Sequence, residues 1–193
     1  MASHNEVEIK FRADNLRALN RRLREAGFRL VTPRTHEMNT LYDLPGEPLR
    51  KRGELLRLRS YGPEWLLTHK AKGKAGPHKT RVENETRVAD GARMEAILRA
   101  LGFAPSFRYE KFRAEWSDGK GHVDVDVTPI GNFAEIEGPS RWIDRTAEVL
   151  QIPRSDYVTA TYTDLFFQWK RQTGNPAKDM TFKAVQSKTR RRL

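Results

Sequence analysis

The sequence predicts an α+β fold in which an antiparallel sheet closes into a barrel, turns a charged face inward and is surrounded by helices. Three observations carry that expectation. Seven short segments alternate between charged and apolar side chains, the period of a strand with two unlike faces. Their charged faces hold both signs. Amphipathic helical stretches lie between and after them, enough to cover an apolar outer face.

The first segment, "NEVEIKFRA" at 5 to 13, sets Val7, Ile9 and Phe11 against Glu6, Glu8, Lys10 and Arg12. "DNLRALNRRLREAGF" follows, with Asp14 as N-cap, Leu16, Leu19 and Leu23 at helical spacing and Gly27 as the stop, predicting a helix over 15–26. Residues 33–53 read as a loop. "ELLRLRSY" puts Arg57 and Arg59 opposite Leu56 and Leu58, and "EWLLTHKAKGK" aligns Thr68, Lys70 and Lys72 opposite Leu67, His69 and Ala71. "TRVENETRV" aligns Arg81, Glu83, Glu85 and Arg87.

A second helix, capped by Asp90 and ended by Gly102-Phe103, repeats the plan of the first. "RYEKFRAEW" then aligns Tyr109, Lys111, Arg113 and Glu115, "HVDVDV" aligns Asp124 and Asp126, and "NFAEIEG" aligns Glu135 and Glu137. Gly/Pro-bearing links such as "SDGKG" and "TPIGN" are short, so the pairing is antiparallel. Helices are predicted over 140–152 and 155–173, with Ser140 and Ser155 as caps and Gly174-Asn175-Pro176 as terminator. Residues 1–175 form the domain. Residues 176–193 read as a flexible basic tail.

Charged residues make up 32% of the chain and the net charge is +11, which favours an anionic partner. Five bases and no acid fall between Lys183 and Leu193, yet the rest stays basic without them. With no cysteine, disulfides, thiolate metal sites and sulfur redox chemistry are excluded. No apolar run approaches the roughly 20 residues needed to cross a bilayer, and a cytoplasmic protein with no membrane partner is expected. The sequence leaves open whether it is a monomer or a homodimer.

Mixed charge lining a lumen makes a poor core, because each buried ion costs several kcal/mol unless paired. It suits a polyanion with divalent cations: bases cover phosphate oxygens and carboxylates hold the hard ions that bridge them. The residues that imply this also carry a resemblance. Glu6-x-Glu8-x-Lys10, then "LRLR" at 56–59, "LTHK" at 67–70, "RVENE" at 81–85, "KFR" at 111–113, "VDVD" at 123–126 and "EIEG" at 135–138, resemble in order the motifs of the CYTH domains, also called triphosphate tunnel metalloenzymes. These include class IV adenylate cyclases, thiamine triphosphatases and inorganic triphosphatases. The resemblance spans residue 5 to about 165 and implies a closed eight-stranded barrel, the triphosphate tunnel.

By that resemblance Glu6, Glu8, Glu135 and Glu137, helped by Asp124, hold Mg²⁺ or Mn²⁺. Glu83, Glu85 and Asp126 are ligands, neighbours of ligands, or plain ion-pair partners. Lys10, Arg57, Arg59, Lys70 and Arg113 are the catalytic bases that grip the phosphates, joined by Lys72, Arg81 and Lys111. The implied reaction is metal-dependent hydrolysis of inorganic tripolyphosphate or an organic or nucleoside triphosphate by in-line attack of water. The alternative is a class IV adenylate cyclase making cyclic AMP and pyrophosphate from ATP. Such cyclases often carry a His-Phe pair before the first motif, and here His4 has no following Phe. A non-enzymatic alternative is a basic polyphosphate- or RNA-binding protein, with nucleic acid held only through the tail.

Overall fold

The computed structural model describes residues 4–74 and 76–186. In chain order the elements are β1 (His4–Arg12), α1 (Leu16–Glu25), β2 (Arg29–Asp43), α2 (Pro48–Arg52), β3 (Leu55–Tyr61), β4 (Glu64–Lys70), β5 (Lys79–Val88), α3 (Gly91–Ala100), β6 (Ala104–Ser117), β7 (His122–Thr128), β8 (Gly131–Glu137), α4 (Ser140–Val149), α5 (Tyr162–Thr173) and α6 (Phe182–Gln186). The eight strands form a closed antiparallel barrel in the order β1-β5-β4-β3-β2-β6-β7-β8. Closure leaves every strand with an inner and an outer face, so side-chain parity decides what lines the lumen.

The outer faces of β1, β7 and β8 are apolar and covered. Ile9, Phe11, Val123, Val125, Ala134 and Ile136 of β1, β7 and β8 bury against Leu19 and Leu23 of α1 and Ile143 and Ala147 of α4. Across the barrel, Tyr42 and Leu58 meet Leu98 of α3. Burial of each such side chain contributes about 1.5–3 kcal/mol. A third cluster, Phe107, Tyr109 and Phe133 with Tyr162, Leu165 and Phe166 of α5 and Met180, joins inward-facing strand residues to α5.

Several local expectations need correcting. Residues 33–53 are not a loop: β2 runs through Asp43, and α2 follows. Pro33 and register shifts against β6 between Leu30 and Thr32, Thr32 and Thr35, and Leu41 and Tyr42 break the alternation that marks the other strands. The α1 cap is Asn15, whose side chain accepts from the Ala18 amide, and Pro139 rather than Ser140 stands at the α4 N-cap. The predicted 155–173 helix is a single 3₁₀ turn at Arg154–Asp156, an extended link, and then α5.

That link has a reason. β5 accompanies β1 only as far as Glu8, and Val158 takes up the backbone of Lys10 beyond that point, N–H to O at 3.3 and 2.7 Å. An unpaired buried backbone group costs about as much as a lost hydrogen bond, and the extended link supplies the partner. The same logic orders the segment after Pro176. Because β7 pairs with β6 only from Phe112 onward, Met180 bonds to Arg108 and Glu110 in the gap, while the Asp179 carboxylate accepts from the Arg108 amide. Residues 176–186 are therefore ordered on the barrel. The rest of the expected tail, 187–193, lies outside the described residues.

Candidate active site

Parity places the charges inside as the alternation predicts. The lumen holds a cavity of about 510 Å³ lined by Lys10, Arg57, Arg59, Lys70, Lys79, Arg81, Lys111 and Arg113 and by Glu6, Glu8, Glu83, Glu85, Glu115, Asp124, Glu135 and Glu137. Bases and carboxylates thus balance within the lining, and the excess of +11 lies elsewhere on the chain. The lumen does not attract anions by bulk charge. What it offers is two opposed surfaces.

One surface is acidic. β1, β7 and β8 are neighbours, with Glu8 opposite Glu137 and Asp124 opposite Glu135, so four carboxylates share one wall with Glu6 beside them. The other is basic: Arg57 and Arg59 of β3 and Lys70 of β4 face it, with Arg81 next to Glu6 on β5. Lys70 and Arg81 reach Glu6 at 2.5 and 3.0 Å, Lys79 reaches Glu8 at 2.7 Å, and Lys10 reaches Glu135 at 2.8 Å. Arg113 pairs with Asp124, Asp126 and Glu135 together.

The electrostatics divide the carboxylates into two kinds. Burial alone would raise Glu6, but Lys70 and Arg81 outweigh it and hold the acid at about 2. Glu135 is likewise held well below its ordinary value against burial, by Lys10, Lys111 and Arg113. Glu137 goes the other way. Burial, followed by the charges of Glu6, Glu8 and Glu135 and only partly offset by Lys70, pushes it up to about 7, and it forms no ion pair among the described residues. Burial also raises Asp124, to about 8, because Arg113 divides its charge among three carboxylates while Asp126 and Glu135 repel it.

A small hard cation fits this wall by chemistry. Carboxylate oxygens are its preferred donors, and in two of the carboxylates, Asp124 and Glu137, burial and neighbouring carboxylates disfavour the charged form that a bound cation would restore. Among the described residues no three His, Asp or Glu side chains already converge on one point, since Glu6, Glu8, Asp124 and Glu135 each lie against a base. Ligation therefore requires those bases to turn toward another anion. A phosphate chain in the cavity would supply it.

All but two of the sequence-predicted site residues line the cavity. Lys72 does not: β4 ends at Lys70, and Lys72 is exposed beyond it, so the alternation was carried past the end of the strand. Asp126 is fully buried behind the lining, where it accepts from Lys111 at 2.9 Å, from both sides of the Arg113 fork at 2.8 Å and from the Tyr162 hydroxyl at 2.6 Å. Its role is to hold bases. Glu83 and Glu85 sit among the bases, on Lys70 at 2.7 Å and on Arg59 at 3.1 Å.

Sequence reasoning missed Lys79, which opens β5 after a glycine-rich link, and Glu37, buried on the unrecognised β2. It also missed the floor made by Tyr162 with Thr161 and Thr163 at the start of α5. A capping box, Thr161 with Asp164, marks that helix start in the sequence and could have located it.

Comparison with known proteins gives a consistent picture. Residues 4–162 match the CYTH domain family. A Methanocaldococcus jannaschii protein named for a proposed adenylate cyclase activity is 28% identical over 148 residues, covering 76% of this chain and 83% of its own. Among solved structures, a Vibrio parahaemolyticus protein also named as a candidate adenylate cyclase superposes with a TM-score of 0.76 at 22% identity, covering 86% of this chain and 99% of its own. A Hippeastrum protein named as a candidate adenylyl cyclase, and described as revealing a dominant triphosphatase activity, superposes with a TM-score of 0.61 at 21% identity, covering 84% of this chain and 95% of its own.

Proposed function

The chain belongs to the CYTH domain family, and from that premise we propose that it is a divalent-metal-dependent triphosphatase, hydrolysing inorganic tripolyphosphate or an organic triphosphate. The observation that carries this reading is the opposition of a carboxylate wall to a basic wall across one cavity. In the proposed complex Lys10, Arg57, Arg59, Lys70, Arg81, Lys111 and Arg113 hold the non-bridging phosphate oxygens and align the chain for in-line displacement. Phosphoryl transfer needs little covalent help, so positioning and charge neutralisation supply most of the catalysis. Glu6, Glu8, Asp124, Glu135 and Glu137 would hold Mg²⁺ or Mn²⁺, which when bound would supply positive charge to offset that of the phosphate chain.

Cyclisation of ATP, with the 3′-hydroxyl attacking the α-phosphorus, uses the same two walls. The names of the Methanocaldococcus and Vibrio relatives favour it, and the activity ascribed to the Hippeastrum protein favours hydrolysis. Incubating the protein with tripolyphosphate, ATP or thiamine triphosphate, each with Mg²⁺ or Mn²⁺, and resolving the products tests both. Orthophosphate release supports the hydrolase. Cyclic AMP with pyrophosphate would replace it by the cyclase, and no product from any of them would refute both.

A further inference from the structure

Glu37 is fully buried and does not line the cavity, yet four cavity bases stand around it. Lys111 lies 3.6 Å from one carboxylate oxygen, to which the Asn39 amide donates at 2.7 Å. The other oxygen faces Arg59 at 3.8 Å and Arg113 at 3.9 Å. These three bases, with Arg57, hold the carboxyl well below its usual range despite burial. Asn39 is itself fully buried and directly opposite Arg59 in the β2–β3 register.

We infer that Glu37 is a positioning residue, a fixed counter-charge behind the basic wall that aims Arg59, Lys111 and Arg113 into the cavity and limits how tightly that wall holds a phosphate chain. The inference rests on the triphosphate reading of the cavity. Of the other partners of these bases, Asp126 also lies behind the lining and holds Lys111 and Arg113, but it is not paired with Arg59; the rest differ in one respect. Glu85, Asp124 and Glu135 are in the lining, where an entering polyanion competes with them for the same guanidinium and ammonium groups. Glu37 lies on the far side and keeps its hold when the cavity fills. Without it, mutually repelling bases would draw on the substrate and on the product polyphosphate alike. Uniformly tighter binding lowers KM without raising kcat, and slow product departure lowers kcat.

The role makes predictions of opposite sign for two near-isosteric changes. Glu37→Gln removes the counter-charge and should tighten metal-free binding of tripolyphosphate and pyrophosphate by about fivefold to tenfold, with KM and kcat both reduced. Asn39→Asp adds a charge at the same place and should weaken binding and raise KM. The double variant Glu37→Gln/Asn39→Asp moves the carboxylate to the neighbouring residue and should return both constants toward wild type. Calorimetric titration of tripolyphosphate and pyrophosphate in excess chelator, with steady-state kinetics, reads all three.

A merely structural carboxylate would show the reverse, raised KM and weaker binding in both single variants and no recovery in the double. That result, or unchanged affinity in folded Glu37→Gln, overturns the role alone. If Glu37→Gln does not fold, the sign of the Asn39→Asp shift decides. Wild-type protein that binds no tripolyphosphate overturns the cavity reading and this role with it.

Discussion

Glu137 stores a conflict between stability and site chemistry that one substitution can expose. Its carboxyl titrates near 7 in the fold instead of near 4.5, chiefly because it is buried and then because Glu6, Glu8 and Glu135 surround it. An acid whose pKa rises on folding stabilises the fold fully below the unfolded value and loses that contribution as pH climbs through the folded value. The difference is worth at most about 3.5 kcal/mol, at roughly 1.4 kcal/mol per pKa unit, and incomplete burial lowers it. Glu137→Gln keeps the size and abolishes the titration. The variant should match wild type near pH 4.5 and melt higher at pH 8, by at least about 3 °C at roughly 2–4 °C per kcal/mol for a chain of this size. Mg²⁺ at pH 8 should raise the wild-type midpoint and the variant's much less, and activity should fall at least about tenfold. Differential scanning fluorimetry from pH 4.5 to 8.5, with and without Mg²⁺, provides the data. A variant that is less stable at pH 8, or shifted equally at both pH values, would refute the electrostatic reasoning.

Other consequences follow from parity and burial. Arg59→Ala should cut turnover at least about tenfold in protein that is still folded, with some loss of melting temperature because Glu37 and Glu85 lose a counter-charge, whereas Leu58→Ala, beneath α3, should cost about 2–5 kcal/mol and lose activity only by unfolding; melts and phosphate-release assays on the pair check this. Lys70→Ala should abolish triphosphate binding and the exposed Lys72→Ala should leave it unaltered, read by the same calorimetry. Asp126→Asn removes the buried anchor of Lys111, Arg113 and Tyr162 and should destabilise by about 3–5 kcal/mol in urea unfolding.

Much of the barrel was legible because β1, β3, β4, β5, β6, β7 and β8 are two-faced in sequence as in space. Each carries a charged face toward the lumen, and all but β5 carry apolar residues on the other that helices at least partly cover, so period two reports both. β2 broke the rule for a local reason, Pro33 and three register shifts, and with it Glu37 vanished from view. Lys79 follows a link whose glycines conceal where β5 begins. The α5 floor and the Met180 contact were illegible for another cause. Both are set by gaps that neighbouring strands leave in the backbone pairing of β1 and β6, and no window along the chain contains both sides of such a gap. Lys72 erred because alternation says which way a side chain points only while the strand lasts.

The central claim is that one lumen holds a triphosphate on its bases and a divalent cation on its carboxylates. Phosphorus NMR of tripolyphosphate with the protein, in Mg²⁺ and then in excess chelator, tests it most directly when wild type is run beside Arg59→Ala and Glu8→Gln. The account predicts orthophosphate and pyrophosphate from wild type in Mg²⁺ only, with both variants slowed at least about tenfold. Cleavage that continues in chelator, or that survives both substitutions, would contradict it.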